Sequence, residues 1–366
     1  MTPLRVLLIT PDFPPAVGGI QRLLHRLVDN RRDTLYEVLT PAVRGTDDWD
    51  RAQDFAIVRT RSAPTRQLGL AALNAAALAH AHRTRPDLVL AGHIVAAPAA
   101  MAIRRSLGIP FALYLYALEV RERAALAGLA GRRADAVIAI SRYTADLARE
   151  AGIPGERIHI VPPGVDLAQD TAHPNNATPP RVLTVARLHD RYKGFDVMAR
   201  AMPLVRARIP DAEWVVVGEG RLRPEIARLA DMNGVADAVH LRGSVSDAER
   251  DALYDSCPVF AMPSRLPPGS AGEGFGIVYL EAGTRGVPSV AGDVGGAVDA
   301  VVNGETGLLV DPTSHVGVAN AIAGLLEDRA RARDMGAAAA RFAQRFAWPR
   351  IAPEVEAVLR VAAVRS

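Results

Sequence analysis

Apolar residues occur in short runs that alternate with stretches of helical periodicity along the whole chain. The first run, RVLLI at 5–9, leads into a loop rich in proline and glycine and then into an amphipathic helix that begins near Ile20. Strand, glycine loop and helix in this order open a doubly wound α/β domain. Because such strands are parallel, we expect ligands to bind beyond their carboxyl ends.

The alternation is interrupted once, so the chain divides into two halves. Residues 167–180 have little periodicity and many turn formers, which is typical of a linker. We predict an N-terminal Rossmann-like domain at 1–166 and a second one at 181–348, with a cleft between them as the usual place for a small-molecule site. The expected strands lie at 5–9, 88–91, 111–115, 136–140 and 159–161 in the first domain, and at 181–185, 214–217, 239–241, 259–262, 288–291 and 308–310 in the second.

Length and composition exclude several classes of protein. At 366 residues the chain is too long for one hydrophobic core, and 49% hydrophobic with 23% charged residues is an ordinary globular mixture. The longest stretch without charge, 88–103, is shorter than the roughly 20 residues of a membrane-spanning helix. The apolar start predicts a buried strand rather than a signal peptide. The single cysteine, Cys257, excludes a disulfide framework, so we expect a soluble, cytoplasmic protein.

Positive charge is concentrated in the first half of the chain. Residues 1–166 contain 21 arginines and 16 acidic residues, whereas the remainder contains 22 basic and 24 acidic residues. A solvated basic surface explains this asymmetry. An acidic acceptor, or peripheral contact with the inner face of a membrane, would also fit it. We expect no nucleic-acid partner, because the chain has no basic run and no aromatic platform.

One loop of the second domain carries two cations after a predicted strand. Arg187 follows the strand at 181–185, and Lys193 precedes a helix that begins near Asp196. Lys193 is the only lysine among 43 basic residues, which indicates that this position needs a compact ammonium that arginine cannot replace. Two cations at the carboxyl end of a strand suit a diphosphate leaving group. Two exposed surface cations are the alternative interpretation.

Two glutamates flank the start of a predicted helix further along, in EGFGIVYLE at 273–281. Gly274 and Gly276 leave the backbone accessible to a ligand, and the free N–H groups of the helix start form an anion site. Glu273 precedes the helix and Glu281 lies inside it, so we expect the two carboxylates to hold different ends of an extended ligand. The alternative is one loop glutamate and one solvated glutamate.

Two further glycine loops follow predicted strands. Gly18-Gly19, before the first helix, supplies backbone donors for a phosphate, or else a tight turn. VGEG at 217–220 begins like a dinucleotide-binding loop. Position 223 is arginine instead of the third glycine, so the segment fails as that fingerprint.

Taken together, these segments resemble the retaining GT-B glycosyltransferases of glycosyltransferase family 4. The similar segments, in order over nearly the whole chain, are PDFPPAVGGIQR, ISRYT, VPPGVD, ARL…KGFD, VVGEG, HLRGSVS, PSR…EGFGIVYLEAGTRGVPSVAGDVGG, NGETGLLVDP and FAW. GIVYLEA and the preceding PSR loop are similar to the phosphatidylinositol mannosyltransferase branch. The resemblance implies a GT-B fold, in which the last helix, about 349–366, packs back on the N-terminal domain.

The family pattern implies roles for the residues that match its motifs. The C-terminal domain would bind a nucleotide-diphospho-sugar donor, and the N-terminal domain a glycan, lipid or small-molecule acceptor. Arg187 and Lys193 would hold the diphosphate and Glu273 the sugar hydroxyls, as the catalytic set. Glu281 would bind the ribose. The remaining donor contacts implied, mostly through backbone, are Gly18, Gly19, Gly218, Gly243, Val245, Gly274, Phe275 and Gly276.

The resemblance also implies a mechanism. The sugar would be transferred with retention by front-face departure and attack, the donor phosphate taking the acceptor proton, and neither a metal nor a cofactor would be required. A cationic cradle without a second carboxylate placed as a nucleophile agrees with this. A nucleotide-sugar 2-epimerase on the same fold and a non-catalytic nucleotide-sugar-binding protein are the alternatives.

The N-terminal domain departs from the family at one motif. Many relatives have His-Gly-His-Glu where this chain has Tyr116-Ala-Leu-Glu119, so Leu118 replaces a histidine that reaches the sugar near its C6 hydroxyl. An apolar residue there would fit a 6-deoxy sugar, since an unpaired hydroxyl costs roughly 1–3 kcal/mol. Alternatively, His93 or nearby main chain substitutes for the missing histidine. We expect Asp12, His93, Leu118 and Glu119 to contact the acceptor or the sugar.

Overall fold

The computed structural model describes residues 2–168, 179–269 and 271–364. Most of the predicted linker, 169–178, lies outside the described residues. The chain divides into two compact units. Unit 1 comprises Met1–Gly164 and Trp348–Ser366, and unit 2 comprises Val165–Ala347.

Unit 1 is built on a seven-stranded parallel sheet with the order β3-β2-β1-β4-β5-β6-β7. Its strands are β1 Leu4–Ile9, β2 Thr34–Pro41, β3 Ala56–Thr60, β4 Leu88–Ala91, β5 Phe111–Leu115, β6 Ala136–Ala139 and β7 Ile158–Ile160. Strands β1, β4, β5 and β6 are almost entirely buried, as expected for a sheet covered by helices on both faces. The strand order reverses between β1 and β4, and such a switch point is where open α/β sheets bind ligands.

Eight helices are described in unit 1, and the last of them comes from the end of the chain. They are α1 Gly19–Asp29, α2 Thr46–Arg51, α3 Arg66–Thr84, α4 Ala97–Leu107, α5 Ala117–Glu122, α6 Ala124–Gly131, α7 Arg142–Glu150 and α15 Trp348–Val364. Helix α15 packs against α1 and against β4, β5 and β6. Its buried Glu356 accepts a hydrogen bond from the Arg32 N–H at 2.9 Å, which fixes the helix to the segment before β2.

Unit 2 repeats the architecture with a six-stranded parallel sheet in the order β10-β9-β8-β11-β12-β13. The strands are β8 Arg181–Val185, β9 Glu213–Val217, β10 Val239–Gly243, β11 Val259–Met262, β12 Ser289–Gly292 and β13 Gly307–Val310. The helices are α8 Phe195–Arg208, α9 Arg223–Met232, α10 Asp247–Ser256, α11 Ile277–Thr284, α12 Ala297–Ala300, α13 His315–Glu327 and α14 Arg329–Ala343. Trp214 is fully buried in this core, and its indole N–H donates to Thr184 Oγ1 at 2.9 Å.

The two Rossmann-like α/β domains predicted from the sequence are confirmed, with two strands that the pattern did not predict. Strand β2 carries the exposed Leu35 and the charged Glu37 among its apolar residues. Strand β3 is one of the two edge strands and includes Arg59. Neither is a continuous apolar run, so periodicity alone does not reveal them. Within the described ranges, no helix is both long enough and apolar enough to cross a membrane.

Candidate active site

The loop after β8 places Lys193 beside Glu273 in unit 2. Lys193 Nζ forms an ion pair with Glu273 Oε2, and only 12% of each side chain is exposed. Burial disfavours the charged ammonium and so lowers its pKa. The attraction of Glu273, Tyr192 and Asp190 for the charge is larger in sum, so the pKa of Lys193 is raised overall. Nζ also lies 5.1 Å from the centroid of the Tyr192 ring. Lys193 is therefore protonated at neutral pH.

Arg187, the other predicted diphosphate ligand, is in a different environment. Its side chain is 67% exposed, and Nη2 lies 3.5 Å from Asp190 Oδ2. Each of the two cations thus has a carboxylate neighbour, and the region is not the simple surplus of positive charge that the sequence suggested. A diphosphate bound here would have to share or replace these carboxylates.

The loop that carries Lys193 is fixed by the loop after β11. The Arg265 N–H donates to the Tyr192 carbonyl at 2.8 Å, and Arg265 Nη2 donates to Asp196 Oδ1 at 2.6 Å. Gly194 has φ +81°, and a Cβ there would lie 2.3 Å from the Pro263 carbonyl oxygen. Only glycine permits this approach, so the position of Lys193 is set by backbone packing.

Gly218, directly after β9, and Gly243, the last residue of β10, support the loop that follows β8. Gly218 has φ +132°, and a Cβ there would lie 1.9 Å from the Ala186 carbonyl oxygen. Its N–H donates to the Gly243 carbonyl at 2.8 Å. The predicted donor residues Gly218 and Gly243 are therefore neighbours at the carboxyl edge of the sheet. The loop that carries Arg187 begins at the same edge. The half-buried Val245 follows in the same loop.

The Glu273–Gly276 loop rests on a glycine that the sequence prediction missed. The Gly296 N–H donates to the Glu273 carbonyl at 2.8 Å, and a Cβ at Gly296 would lie 2.0 Å from the Gly274 carbonyl oxygen. Gly295-Gly296 follows β12 much as Gly18-Gly19 follows β1, and that similarity is the signal that could have revealed it.

Phe275 and Gly276 have distinct structural roles in this loop. The buried Phe275 ring packs against Phe346 with centroids 5.8 Å apart, so its side chain belongs to the core and only its backbone is available to a ligand. Gly276 has φ +87° and precedes α11, and a Cβ there would lie 2.4 Å from the Tyr279 ring. This helix start has no side-chain cap, as an anion-binding helix terminus requires.

Glu281 lies inside α11, half-buried, as the second carboxylate of the motif. Tyr254 donates its hydroxyl to Glu281 Oε2 at 3.2 Å. Burial opposes the charge of Arg250, but nearby carboxylates, Glu281 first among them, raise the pKa of this guanidinium. Glu281 is therefore not simply a solvated glutamate, although its predicted contact with the ribose stays a prediction.

Three of the residues predicted to contact the acceptor or sugar lie together in unit 1, after β1, β4 and β5. His93 Nε2 is 2.7 Å from Glu119 Oε1 and 3.5 Å from Asp12 Oδ2. The Val95 N–H donates to His93 Nδ1 at 3.2 Å, so Nε2 carries the proton that faces the carboxylates. Glu119 Oε2 accepts the Ile94 N–H at 3.1 Å. The sequence predicted these residues singly, and the structure makes them a cluster.

Burial governs the electrostatics of this cluster. It raises the pKa of Glu119, an effect that His93 and the Ile94 N–H offset only in part and to which Asp12 adds. Asp12 is held by Gln21, whose Nε2 donates to Oδ1 at 2.9 Å. Leu118 lies beside Glu119 on α5 with 39% of its surface exposed. In the described part of the chain, no group of three or more His, Cys, Asp and Glu residues is arranged to hold a metal ion.

Gly18 and Gly19 form the start of α1, a few residues after Asp12 in the sequence. Gly18 is the N-cap residue, in extended conformation at φ 168°, and it caps the helix without a side-chain hydrogen bond. A Cβ at Gly19 would meet nothing within 4 Å, so its surroundings are open. The backbone donors of this first turn have no side-chain cap, and their predicted contact with a phosphate stays a prediction.

Two Rossmann-like units with parallel sheets are the architecture of GT-B proteins, and solved structures of that class share the fold. Residues 17–169 match the family Glycosyltransferase Family 4, and residues 167–342 match Glycosyl transferases group 1. A sucrose-phosphate synthase from Thermosynechococcus elongatus has the same fold, with a TM-score of 0.82 and 23% identity over 100% of both chains.

Relatives identify the family. A GDP-mannose-dependent alpha-(1-6)-phosphatidylinositol monomannoside mannosyltransferase of Mycobacterium tuberculosis is 35% identical over 97% of this chain and 98% of its own length. The Mycolicibacterium smegmatis protein of the same name is 33% identical over 92% and 93%. The chain belongs to glycosyltransferase family 4, and it is a glycosyltransferase that moves a sugar from a nucleotide sugar.

Proposed function

We propose that the protein transfers a mannosyl group from GDP-mannose to a hydroxyl of a phosphatidylinositol mannoside, with retention at the anomeric carbon and without a metal ion. The largely buried ion pair of Lys193 with Glu273 is the observation that carries the proposal. We infer the donor and the acceptor from those of the two mycobacterial relatives, which are similar over more than nine-tenths of the chain. A lipid acceptor would place the enzyme at the inner face of a membrane.

Lys193 stabilises the departing nucleotide in this mechanism. As the bond from the anomeric carbon to the β-phosphate breaks, negative charge builds up on the phosphate oxygens. Lys193 is already protonated and largely desolvated, so its ammonium stabilises that charge more strongly than an exposed cation would. The exposed Arg187 supplies a second, more mobile donor.

Glu273 changes partner when the donor binds. Before binding, its carboxylate holds the Lys193 ammonium in place. The donor diphosphate then takes over Lys193, and Glu273 accepts hydrogen bonds from the sugar hydroxyls. A glutamate engaged in this way is a poor nucleophile, so the donor phosphate takes the acceptor proton in a front-face reaction.

Asp12, His93 and Glu119 provide the hydroxyl-binding side of unit 1. Their carboxylates and imidazole are close enough to share protons, and Asp12 is the member with the greatest exposure, 25% of its side chain. Such a cluster recognises sugar hydroxyls, which both donate and accept hydrogen bonds.

The test is a transfer assay with purified protein, GDP-mannose and phosphatidylinositol mannoside. NMR of the product gives the anomeric configuration, and a parallel reaction contains EDTA. We expect an α-linked product and an unchanged rate with EDTA. A β-linked product would refute retention, and a loss of activity that Mg²⁺ restores would refute metal independence.

A thermal-shift screen of nucleotide sugars tests the donor independently, since a ligand selective for the folded state raises its stability. GDP-mannose should raise the melting temperature more than UDP-glucose does. Epimerised donor formed without acceptor would instead indicate a 2-epimerase, and binding with neither transfer nor hydrolysis would indicate a non-catalytic binding protein.

A further inference from the structure

A second charged cavity lies in unit 1 at the opposite edge of the sheet from His93. Phe111 begins β5, Asp135 immediately precedes β6 and Arg157 immediately precedes β7, so the cavity opens at the amino ends of these strands. Its volume is about 1090 Å³, enough for a small-molecule ligand. We call it the arginine basin, and its lining is Met101, Ala102, Arg104, Arg105, Phe111, Leu129, Arg132, Arg133, Asp135, Glu156 and Arg157.

The arginine basin has more positive charge than the fold requires. Its lining contains five arginines against two carboxylates, a formal surplus of three charges. Helices α4 and α6 end here, and cations at helix C-termini are favourable because each terminus carries about half a negative charge. Two such termini account for about one of the three surplus charges.

Two of the arginines are fixed as part of the floor. Asp135 is buried and accepts the Phe111 N–H at 3.0 Å, and it forms an ion pair with Arg104. Arg157 donates from its guanidinium to the Ala134 carbonyl. These contacts hold the loops before β5, β6 and β7 together and make the floor rigid.

The three arginines of the rim have no carboxylate partner within the described ranges. Arg132 Nη1 lies 3.4 Å from the Gly152 carbonyl, and Arg133 Nη1 lies 3.2 Å from the Leu129 carbonyl. Arg105 is exposed, and its guanidinium makes neither an ion pair nor a hydrogen bond to a described residue. Three cations with unused donors thus surround a single cavity.

Arg132 lies beside two glycines. A Cβ at either Gly128 or Gly152 would lie 3.1 Å from its Nη1, although at Gly128 the nearest atom is the Ala151 carbonyl oxygen at 2.0 Å. Met101, Leu129 and Phe111 form an apolar wall beside the cations, and such a wall reduces the screening of charge by water. The basin therefore presents exposed guanidinium donors beside an apolar surface.

We propose that the arginine basin binds a ligand with two or more phosphate groups, at a site distinct from the donor site of unit 2. Guanidinium groups match phosphate oxygens through paired hydrogen bonds, and three of them exceed what a monovalent carboxylate would satisfy. This inference does not use the acceptor or the mechanism proposed above; its test alone rests on the proposed donor, because GDP is the compound chosen to fill the donor site.

The test is calorimetric titration of the full protein with tripolyphosphate in saturating GDP, which occupies the donor site. The Arg105→Ala/Arg133→Ala variant should weaken binding about tenfold or more, because it removes charge-assisted donors. Arg331→Ala/Arg333→Ala removes two exposed arginines from α14 and is the matched control. It should change binding less than about twofold. Equal weakening in both variants, or no binding to the wild type, would overturn the proposal.

A second arm identifies the source of the phosphates. Sedimentation with phosphatidylcholine vesicles, with or without phosphatidylinositol 4-phosphate, is compared for the same variants. Binding that needs both the phosphorylated lipid and the basin assigns the site to a lipid headgroup, whereas basin-dependent binding of tripolyphosphate alone assigns it to a free phosphate compound. Unchanged melting temperatures establish that the exposed basin variants are folded.

Discussion

The two units each hold a largely buried acidic residue beside a basic one at the carboxyl edge of the sheet, but the two pairs differ chemically. In unit 2 the pair is Lys193 with Glu273, and 12% of each side chain is exposed. In unit 1 it is His93 with Glu119, with 9% and 7% exposed. The two pairs are therefore buried to a similar extent, but the basic residue is a lysine in unit 2 and a histidine in unit 1.

The difference is between a permanent charge and a titratable one. The pKa of Lys193 is raised above an already high value, so this side chain is a cation throughout the physiological range. The pKa of Glu119 is raised above its ordinary value, mainly by burial, so this carboxyl binds a proton more readily than an exposed one. A permanent cation suits a diphosphate, whereas a carboxyl that can gain or lose a proton suits hydroxyl groups, which agrees with the donor and acceptor sides proposed here.

Replacing Lys193 should have the largest effect. We expect Lys193→Met to lower kcat/KM about 100- to 1000-fold, because one donor to the developing phosphate charge is lost. Stability should fall as well, by about 3 kcal/mol, since Glu273 is left buried without its partner. Steady-state kinetics and denaturant unfolding measure the two effects.

A double variant separates the catalytic role from the structural one. Lys193→Met/Glu273→Gln removes both charges and should recover much of the stability but none of the activity. If activity recovered along with stability, Lys193 would be a structural residue and the leaving-group role would be wrong.

Replacing a glycine by alanine next to each pair should lower the free energy of unfolding by different amounts. A Cβ at Gly296 would meet the Gly274 carbonyl oxygen at 2.0 Å, which is backbone, whereas a Cβ at Gly92 would meet the Leu8 side chain at 2.8 Å. We expect Gly296→Ala to cost about 2–3 kcal/mol and Gly92→Ala about 1 kcal/mol, since a side chain shifts more easily than backbone. Thermal unfolding measures both, and equal costs would contradict the rigid support inferred for the Glu273 loop.

The fold of unit 2 was more predictable than that of unit 1. All six strands of unit 2 appear in the sequence as apolar runs, such as 181–185 and 259–262. In unit 1 the pattern missed β2 and β3, which lie towards one edge of the sheet and include charged residues. A charged residue interrupts the apolar residues of each of these two strands, Glu37 in β2 and Arg59 in β3, so the hydrophobic pattern is weak there.

The candidate site was predictable as residues but not as pairs. Lys193 was singled out as the only lysine, and Glu273 by its glycine-flanked motif, yet 80 positions separate them and nothing local indicates their contact. The glycine pair at 295–296 was a signal that the prediction did not use, but the close approach of Gly296 to the Gly274 carbonyl is visible only in the folded chain. The separate motifs thus indicate which chemical groups the site contains, whereas only the packing of the chain shows which of these groups form ion pairs.

The pH dependence of stability should show the difference between the pairs. Glu119 has a higher pKa in the folded protein than its ordinary value of 4.5, so the folded state binds this proton more tightly. The free energy of unfolding of the wild type minus that of Glu119→Gln should therefore fall as pH rises above 4.5. The slope cannot exceed about 1.4 kcal/mol per pH unit for one proton.

Lys193 provides the contrast, because its contribution to stability is lost only above its ordinary value of 10.5, as pH rises through the raised pKa. Denaturant unfolding over a range of pH measures the Glu119 effect. A difference that did not vary with pH in the acidic to neutral range would show that Glu119 keeps its ordinary pKa.

The smallest effect is expected at Leu118, beside the titratable pair. A buried leucine would leave the C6 hydroxyl of mannose unpaired and favour GDP-6-deoxymannose, but 39% of Leu118 is exposed and water can reach a group placed there. We therefore expect Leu118→His to change the ratio of kcat/KM for the two donors by less than about tenfold, in favour of GDP-mannose. Leu118→Met is the matched control and should leave the ratio unchanged. If Leu118→His had no effect on the ratio, this side chain would not face C6 and the 6-deoxy hypothesis would be wrong. A change well above tenfold would mean that water is excluded from Leu118 when the donor binds.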